Sequence, residues 1–262
     1  MNNLTLIVLT KDEAVHLERC LKSVGSLASQ IIVVDSGSTD GTVELAKKLG
    51  AETFTHSFKN QAEQFNWALD YLEIKGEWIL KLDADEYLTP ELAEEIKNVI
   101  GSGSAVNGYY MKRRVYFMGR WIKHGGYYPI WFLRLWRKGM GRSEDKEMDE
   151  HMILLEGESG RLKNDFVDDN RKGLKEWIER HKKYSDREVK DILNGGAAND
   201  PKRSFYYRLP PFLRPCLYFF YRFFIRLGFL DGKEGLIFHS LQGFWYRFLV
   251  DIKIFKARLK GK

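Results

Sequence analysis

Apolar residues fall into two rhythms along the first hundred positions. Residues 4–9 (LTLIVL) and 31–34 (IIVV) are short continuous apolar runs, the look of strands buried on both faces. Each is followed by apolar residues at helical spacing: Ala14, Leu17, Leu21 and Val24 after the first, then Val43, Leu45, Ala46 and Leu49 after the second, stopped by Gly50. Ala62, Phe65, Ala68, Leu69 and Leu72 predict a third helix, and residues 78–82 a further strand. Thr89 as cap and Pro90 at the first helical position open a helix through Leu92, Ile96 and Val99. Strand alternating with helix predicts a mostly parallel sheet. After GSGS (101–104) the pattern changes: GYYMKRRVYFMG and WFLRLW read as antiparallel strands about the loop HGGYYP. Helical spacing returns over residues 171–194, through Leu174, Trp177, Ile178, His181 and Tyr184.

Composition adds a division. With 44% hydrophobic and 30% charged residues the chain reads as globular. Its net charge of +6 hides an uneven split, because residues 201–262 carry 13 Lys and Arg against 3 Asp and Glu. Residues 205–255 also hold 17 of the 37 aromatic side chains. Three segments follow as expectations: 1–105 as a ligand-binding half-domain, 106–200 as a second half with its helix, and 201–262 as basic, aromatic helices. The opening MNNLTLIVLTKDEA has no basic lead and no small-residue cleavage site, so a cytoplasmic location is expected. The two cysteines, Cys20 and Cys216, read as buried reduced thiols.

Polar signatures stand at three predicted strand ends: Thr10-Lys11-Asp12-Glu13, Asp35-Ser36-Gly37-Ser38 and Asp83-Ala84-Asp85-Glu86. In open parallel α/β sheets, ligands bind at the carboxyl ends of strands, so the three suggest one shared site. Asp35 can accept hydrogen bonds from a base or ribose, and the small residues after it admit a ligand to the backbone. The competing reading is a helix cap, for Ser38, Thr39 and Asp40 all precede Val43. No Gly-rich dinucleotide fingerprint or phosphate loop is present. Asp83 and Asp85 share a face if the backbone stays extended there, with Glu86 pointing away to help begin the next helix. Two such oxygen ligands can hold Mg²⁺ or Mn²⁺ shared with substrate phosphates, and the alternative is an acidic turn.

TLIVLTKDE, IIVVDSGSTDGT and WILKLDADEYLTPEL, in this order and spacing, resemble the family 2 glycosyltransferases of the GT-A fold. RLWRKGMGRSEDKEMDEH resembles, less closely, the acceptor half of the branch that includes lipopolysaccharide core glucosyltransferases. The resemblance implies an α/β GT-A domain and an inverting transfer from a nucleoside-diphosphate sugar to a lipid-linked or lipid-anchored glycan. It implies that Thr10, Asp12 or Glu13, Asp35, Ser36 and Gln64 line the nucleotide-sugar pocket, with Asp35 reading the base. Asp83 would contact the ribose or phosphate side and Asp85 would ligate the divalent cation, with Asp83 beside it. Glu150 is expected as the base and Asp149 as its alternative; here His151 follows the acid, whereas in the related enzymes a His precedes it. Gln64 also stands where the family often has Arg or Lys, so a cation is expected from Lys59 or Arg134.

RLPPFLRPCLYFFYRFFIRLGF (208–229) lacks the ~20-residue apolar run of a spanning helix. On a helical wheel Arg208, Arg214, Arg222 and Arg226 fall within about 120°, which predicts a helix lying in a membrane interface with its arginines toward anionic headgroups; Pro215 is expected to set its start, which leaves Arg208 outside. A peripheral location on the inner face of the cytoplasmic membrane, through residues 205–258, follows. Nucleic acid is not an expected partner, since no binding motif accompanies the basic residues. Two other classes compete with a transferase: a nucleotidyltransferase of similar fold, which would need a Gly-rich basic N-terminal loop, and a non-catalytic membrane scaffold.

Overall fold

The computed structural model describes residues 3–103, 105–144, 151–196 and 200–260. The chain divides into two compact units, one built from residues up to Val115 with Pro129–Arg171, the other from Tyr116–Tyr128 with Lys172 onward.

In the first unit, the strands β1 (Leu4–Thr10), β2 (Gln30–Asp35), β3 (Glu52–Thr55) and β4 (Trp78–Asp83) form the parallel part of a mixed sheet, ordered β3-β2-β1-β4. The helices α1 (Ala14–Val24), α2 (Thr42–Lys48) and α3 (Gln61–Tyr71) connect them. Chain order reverses at β1, so β1 and β4 flank the switch point at which such sheets bind ligands. A short strand β5 (Glu86–Leu88) precedes α4 (Pro90–Gly101), whose first turn is capped as expected: Leu92 N donates to Thr89 Oγ1 at 3.2 Å. Beyond it, β6 (Gly108–Phe117) and β8 (Trp131–Arg137) bring in the antiparallel half, with β8 against β4, while the short β7 (Arg120–Ile122) falls in the second unit. The hairpin β9 (Gly141–Ser143) and β10 (Met152–Leu154) flanks residues 145–150, and β11 (Ser159–Asp169) closes the sheet against β5. Leu6, Val8, Trp78, Leu80 and Leu82 are all but inaccessible on one face of the parallel strands, and Ile7, Ile32 and Ile79 on the other. At roughly 1.5–3 kcal/mol for each buried aliphatic or aromatic side chain, this two-sided burial is what holds the polar strand ends in place.

The second unit is helical: α5 (Gly173–Leu193), α6 (Pro201–Arg208), α7 (Leu213–Phe220), α8 (Gly232–His239) and α9 (Tyr246–Lys260), with π-helical turns over Tyr221–Ile225 and Ser240–Trp245. Val189, Tyr246, Val250 and Ile254 form its core beside a buried carboxylate, Glu188, which accepts from Tyr207, Tyr246 and Arg247 at 2.6–2.7 Å. The long helix over 173–193 therefore packs with the C-terminal helices.

Two expectations for this region change. The helix start is not among them: α7 begins at Leu213, near Pro215, and Arg208 lies outside it, beyond a break with Phe212 in the left-handed region at φ 65°. The arginine face is turned inward in part. Arg214 is buried against Asp251 (Nε to Oδ1, 2.9 Å), and Arg222 donates to the Gly125 carbonyl (2.7 Å) and the Tyr218 hydroxyl (2.6 Å). Buried guanidinium groups need such partners, and Asp251 lies too far along the chain for local periodicity to reveal it. Arg208 and Arg226 remain exposed, as do Leu217, Phe220, Tyr221, Phe224 and Ile225, so the outward surface is mainly apolar. Finally, Cys20 is buried but Cys216 is exposed. No helix among the described residues is long and apolar enough to cross a membrane.

Candidate active site

Sheet register brings the three polar strand ends together. Thr10 is paired with Asp35 between β1 and β2, and Leu9 with Asp83 between β1 and β4. The loops after β1 and β2 are laced to each other: Asp12 N donates to Ser38 Oγ (2.7 Å), Thr39 N to Asp12 Oδ1 (2.8 Å), Glu13 N to Thr42 Oγ1 (2.8 Å) and Ala14 N to Asp40 Oδ2 (3.0 Å). Asp12 holds a left-handed backbone at φ 54°, a conformation that Asp tolerates better than most residues. Lys11 reaches across to the Gly37 carbonyl.

Asp35 is almost wholly buried. One carboxylate oxygen accepts from Thr10 Oγ1 (3.0 Å) and Ser38 Oγ, the other from the amides of Gly37 and Ser38 (both 2.7 Å). Burial alone would push its carboxyl up, but the Ser38, Thr10 and Gly37 donors outweigh it and hold the group below the usual carboxylate value. It thus fixes the tight turn after β2. Glu13 is held by His16, whose Nδ1 lies 2.6 Å from Glu13 Oε2. Since His16 Nε2 accepts from the Arg171 amide at 2.7 Å, the ring proton sits on Nδ1 and is donated to Glu13.

α3 supplies two glutamines. Gln64 is buried and donates to Ser36 Oγ at 2.7 Å, while Gln61 donates to Asp83 Oδ1 at 3.0 Å.

The acidic step after β4 departs from a continued strand. β4 ends at Asp83, a turn covers Ala84 and Asp85, and β5 begins at Glu86, so the alternation that would set Asp83 and Asp85 on one face does not run through. Glu86 does not point away; it is buried, accepts the Asp83 amide at 2.9 Å and pairs with Arg134. Asp83 accepts from Lys81 Nζ (2.7 Å) and from Arg134 (3.3 Å); of the two cations named for the place of Gln64, Arg134 is thus bonded to acids and Lys59 is exposed. Lys81 was not anticipated. A lone lysine inside the apolar run WILKLD is the signal that could have found it.

These four groups set each other's charge. Burial works against the Asp83 carboxylate, yet Lys81 and Arg134 outweigh it and hold the group far below the usual range. Burial and the Asp83 charge push Glu86 up, to about 8, against the pull of Arg134 and Lys81. Lys81 is lowered by burial and by Arg134, with Asp83 opposing. A raised carboxyl binds its proton more tightly folded than unfolded, so Glu86 stabilises the fold fully below its ordinary value of 4.5 and less as pH climbs toward 8. We expect urea midpoints of the native protein to fall over that interval relative to Glu86→Gln, at most by about 1.4 kcal/mol per pH unit. Parallel pH profiles would remove Glu86 as the titrating group.

Asp85 is set apart from this neutralised cluster. Its carboxylate accepts from Asn170 Nδ2 at 2.9 Å, and its carbonyl accepts from the Asp169 amide at 3.1 Å, with Arg19 nearby at 3.4 Å. β11 and α1 thereby fix the turn that presents it. Among the described residues no group of three or more His, Cys, Asp or Glu side chains comes together as a metal cage. One or two carboxylates such as Asp85 and Asp83 suit instead a hard cation completed by water and substrate phosphate, the usual way Mg²⁺ is held. Asp149 and Glu150 lie outside the described residues. Their flanks are firmly placed: the Glu144 amide donates to the His151 carbonyl (2.9 Å), Asn66 exchanges two 3.0 Å bonds with the Ser143 backbone, and Arg142 forms a bidentate pair with Asp70 at 2.8 Å.

Residues 5–152 match the model of glycosyl transferase family 2. An uncharacterized glycosyltransferase of Rickettsia bellii (strain RML369-C) is 39% identical over 99 residues, which are 38% of this chain and 33% of the relative. The match thus spans only a third of that protein. The lipopolysaccharide core biosynthesis glycosyltransferase LpsC of Rhizobium meliloti (strain 1021) is 27% identical over 259 residues, 97% of this chain and 92% of LpsC. Among solved structures, glucosyl-3-phosphoglycerate synthase from Mycobacterium tuberculosis, in complex with Mn²⁺ and UDP, is 19% identical with a TM-score of 0.36, covering 44% of each chain. The family match takes in more than half of the 262 residues, including every strand end described above, and on that extent the chain belongs to glycosyl transferase family 2 and is a glycosyltransferase.

Proposed function

We propose that the protein transfers a sugar, with inversion, from a nucleoside diphosphate to a lipid-linked or lipid-anchored glycan of cell-surface polysaccharide or lipopolysaccharide. The observation that carries this reading is the register that gathers Thr10, Asp35 and Asp83 at the switch point of a parallel sheet. Thr10, Asp12, Glu13, Asp35, Ser36 and Gln64 form the nucleotide side of the pocket, with Asp35 fixing the wall against which the base lies. Asp83, held ionised by Lys81 and Arg134, meets the ribose or phosphate side. Asp85, with Asp83 beside it, holds Mg²⁺ or Mn²⁺. The cation, when bound, neutralises the charge that builds on the departing diphosphate.

Glu150, with Asp149 as alternative, takes the proton of the acceptor hydroxyl as that oxygen attacks the anomeric carbon from the face opposite the diphosphate. Asn66 and the Asp70–Arg142 pair steady β9, the strand that leads into these acids. Glu150→Gln should bind donor as the native enzyme does while transfer falls by about a hundredfold or more. Native transfer rates in that variant would exclude Glu150 as the base, and inactivity of Asp149→Asn alone would move the role there.

Similarity to LpsC along nearly the whole chain supports the acceptor class. For the membrane, support comes from the exposed apolar side chains of the second unit, Leu217, Phe220, Phe224 and Ile225, with exposed Arg208, Arg226 and Lys233 on the same helical unit. Aromatic and aliphatic side chains accompanied by cations suit the anionic inner face of a cytoplasmic membrane. Replacing Phe220, Phe224 and Ile225 together by Ser should weaken sedimentation with anionic liposomes at least about tenfold, since each apolar group contributes to insertion. Unchanged sedimentation would refute the membrane role.

A further inference from the structure

A cavity of about 570 Å³ lies within the helical unit, between α6 and α7, walled by Phe205, Tyr206, Leu209, Leu217 and Tyr221. Lys202 and Arg214 also line it, and no carboxylate is among its described lining residues. Arg214 is committed to Asp251 and to the Tyr207 carbonyl (3.1 Å). Lys202 is exposed, and among the described residues its ammonium has no partner. Leu217 and Tyr221 are 45% and 47% exposed and neighbour Phe220 on the outward apolar surface, so the cavity wall is continuous with that surface.

We propose that this cavity holds one acyl chain of an anionic membrane phospholipid. The chain lies against Phe205, Leu209 and Leu217, and the headgroup phosphate meets Lys202. Apolar walls with a few placed polar groups, cationic and without a competing carboxylate, match a chain that ends in negative charge. The proposal rests on the membrane-surface reading only for the source of the lipid.

The test is calorimetric titration of the full chain with monomeric alkyl phosphates below their micellar concentrations, so that no bilayer takes part. Affinity should rise about tenfold for each two carbons added between octyl and dodecyl phosphate. Dodecyl maltoside should bind at least about tenfold more weakly than dodecyl phosphate, and inorganic phosphate should not compete. Leu217→Trp, which fills the cavity from an exposed position, should abolish dodecyl phosphate binding. Lys202→Glu should weaken the phosphate but not the maltoside. Affinity independent of chain length, equal binding of the maltoside, or native affinity in Leu217→Trp would each overturn the proposal. Liposome sedimentation reads the membrane surface separately: replacing Phe220, Phe224 and Ile225, none of which lines the cavity, by Ser should weaken pelleting and leave dodecyl phosphate affinity as in the native chain.

Discussion

Asp85→Asn should lower sugar transfer by about a hundred- to a thousandfold while leaving the melting temperature unchanged within about 2 °C. The turn at Ala84 and Asp85 is held by backbone bonds from β11, and these survive the substitution; only the carboxylate charge is lost. Asn keeps an oxygen for Asn170 but is a far poorer ligand for a hard divalent cation. The deficit should be confined to the metal-dependent rate, and raising Mn²⁺ should recover part of it. The measurement is initial rate against Mn²⁺ concentration for both proteins, alongside thermal melts. A near-native rate in the variant would remove Asp85 from the metal site.

Arg134→Ala should have the largest effect on stability, about 3–5 kcal/mol, read from urea midpoints at neutral pH. Arg134 is buried on β8 and bonds both Asp83 and Glu86, so its loss leaves two acidic groups with Lys81 as their remaining buried cation. Removing one partner of a buried pair costs more than the pair contributes, because the other charge stays desolvated. Arg134→Ala/Asp83→Asn should recover part of the loss, since Asp83 is the carboxylate held ionised by Arg134 and Lys81. Equal midpoints for Arg134→Ala and the native protein would show that water already solvates this cluster.

How much of this was legible in the sequence depended on whether the determining contact was local. β1, β2 and β4 were readable because strands buried on both faces leave continuous apolar runs, and α4 because Thr89 and Pro90 mark a helix start within two residues. The clustering of Thr10, Asp35 and Asp83 followed from parallel topology alone. Glu86 was misjudged because period-two alternation was carried through Ala84 and Asp85, where the turn resets which face each residue takes. Lys81 was missed although its partner Asp83 stands only two residues later, because its burial beside a second cation depends on Arg134, from a strand some fifty residues on. In the second unit, Asp251 draws Arg214 inside and leaves Leu217, Phe220 and Phe224 outside, against the wheel. Local spacing shows which residues share a face, but only long-range pairing decides which way that face turns.

Incubation with a panel of UDP-, GDP- and TDP-sugars in Mn²⁺, with release of nucleoside diphosphate as the readout, tests the account most directly. It predicts that the native protein turns over at least one donor and that Asp85→Asn does not. No turnover and no nucleotide binding with any of them would contradict it.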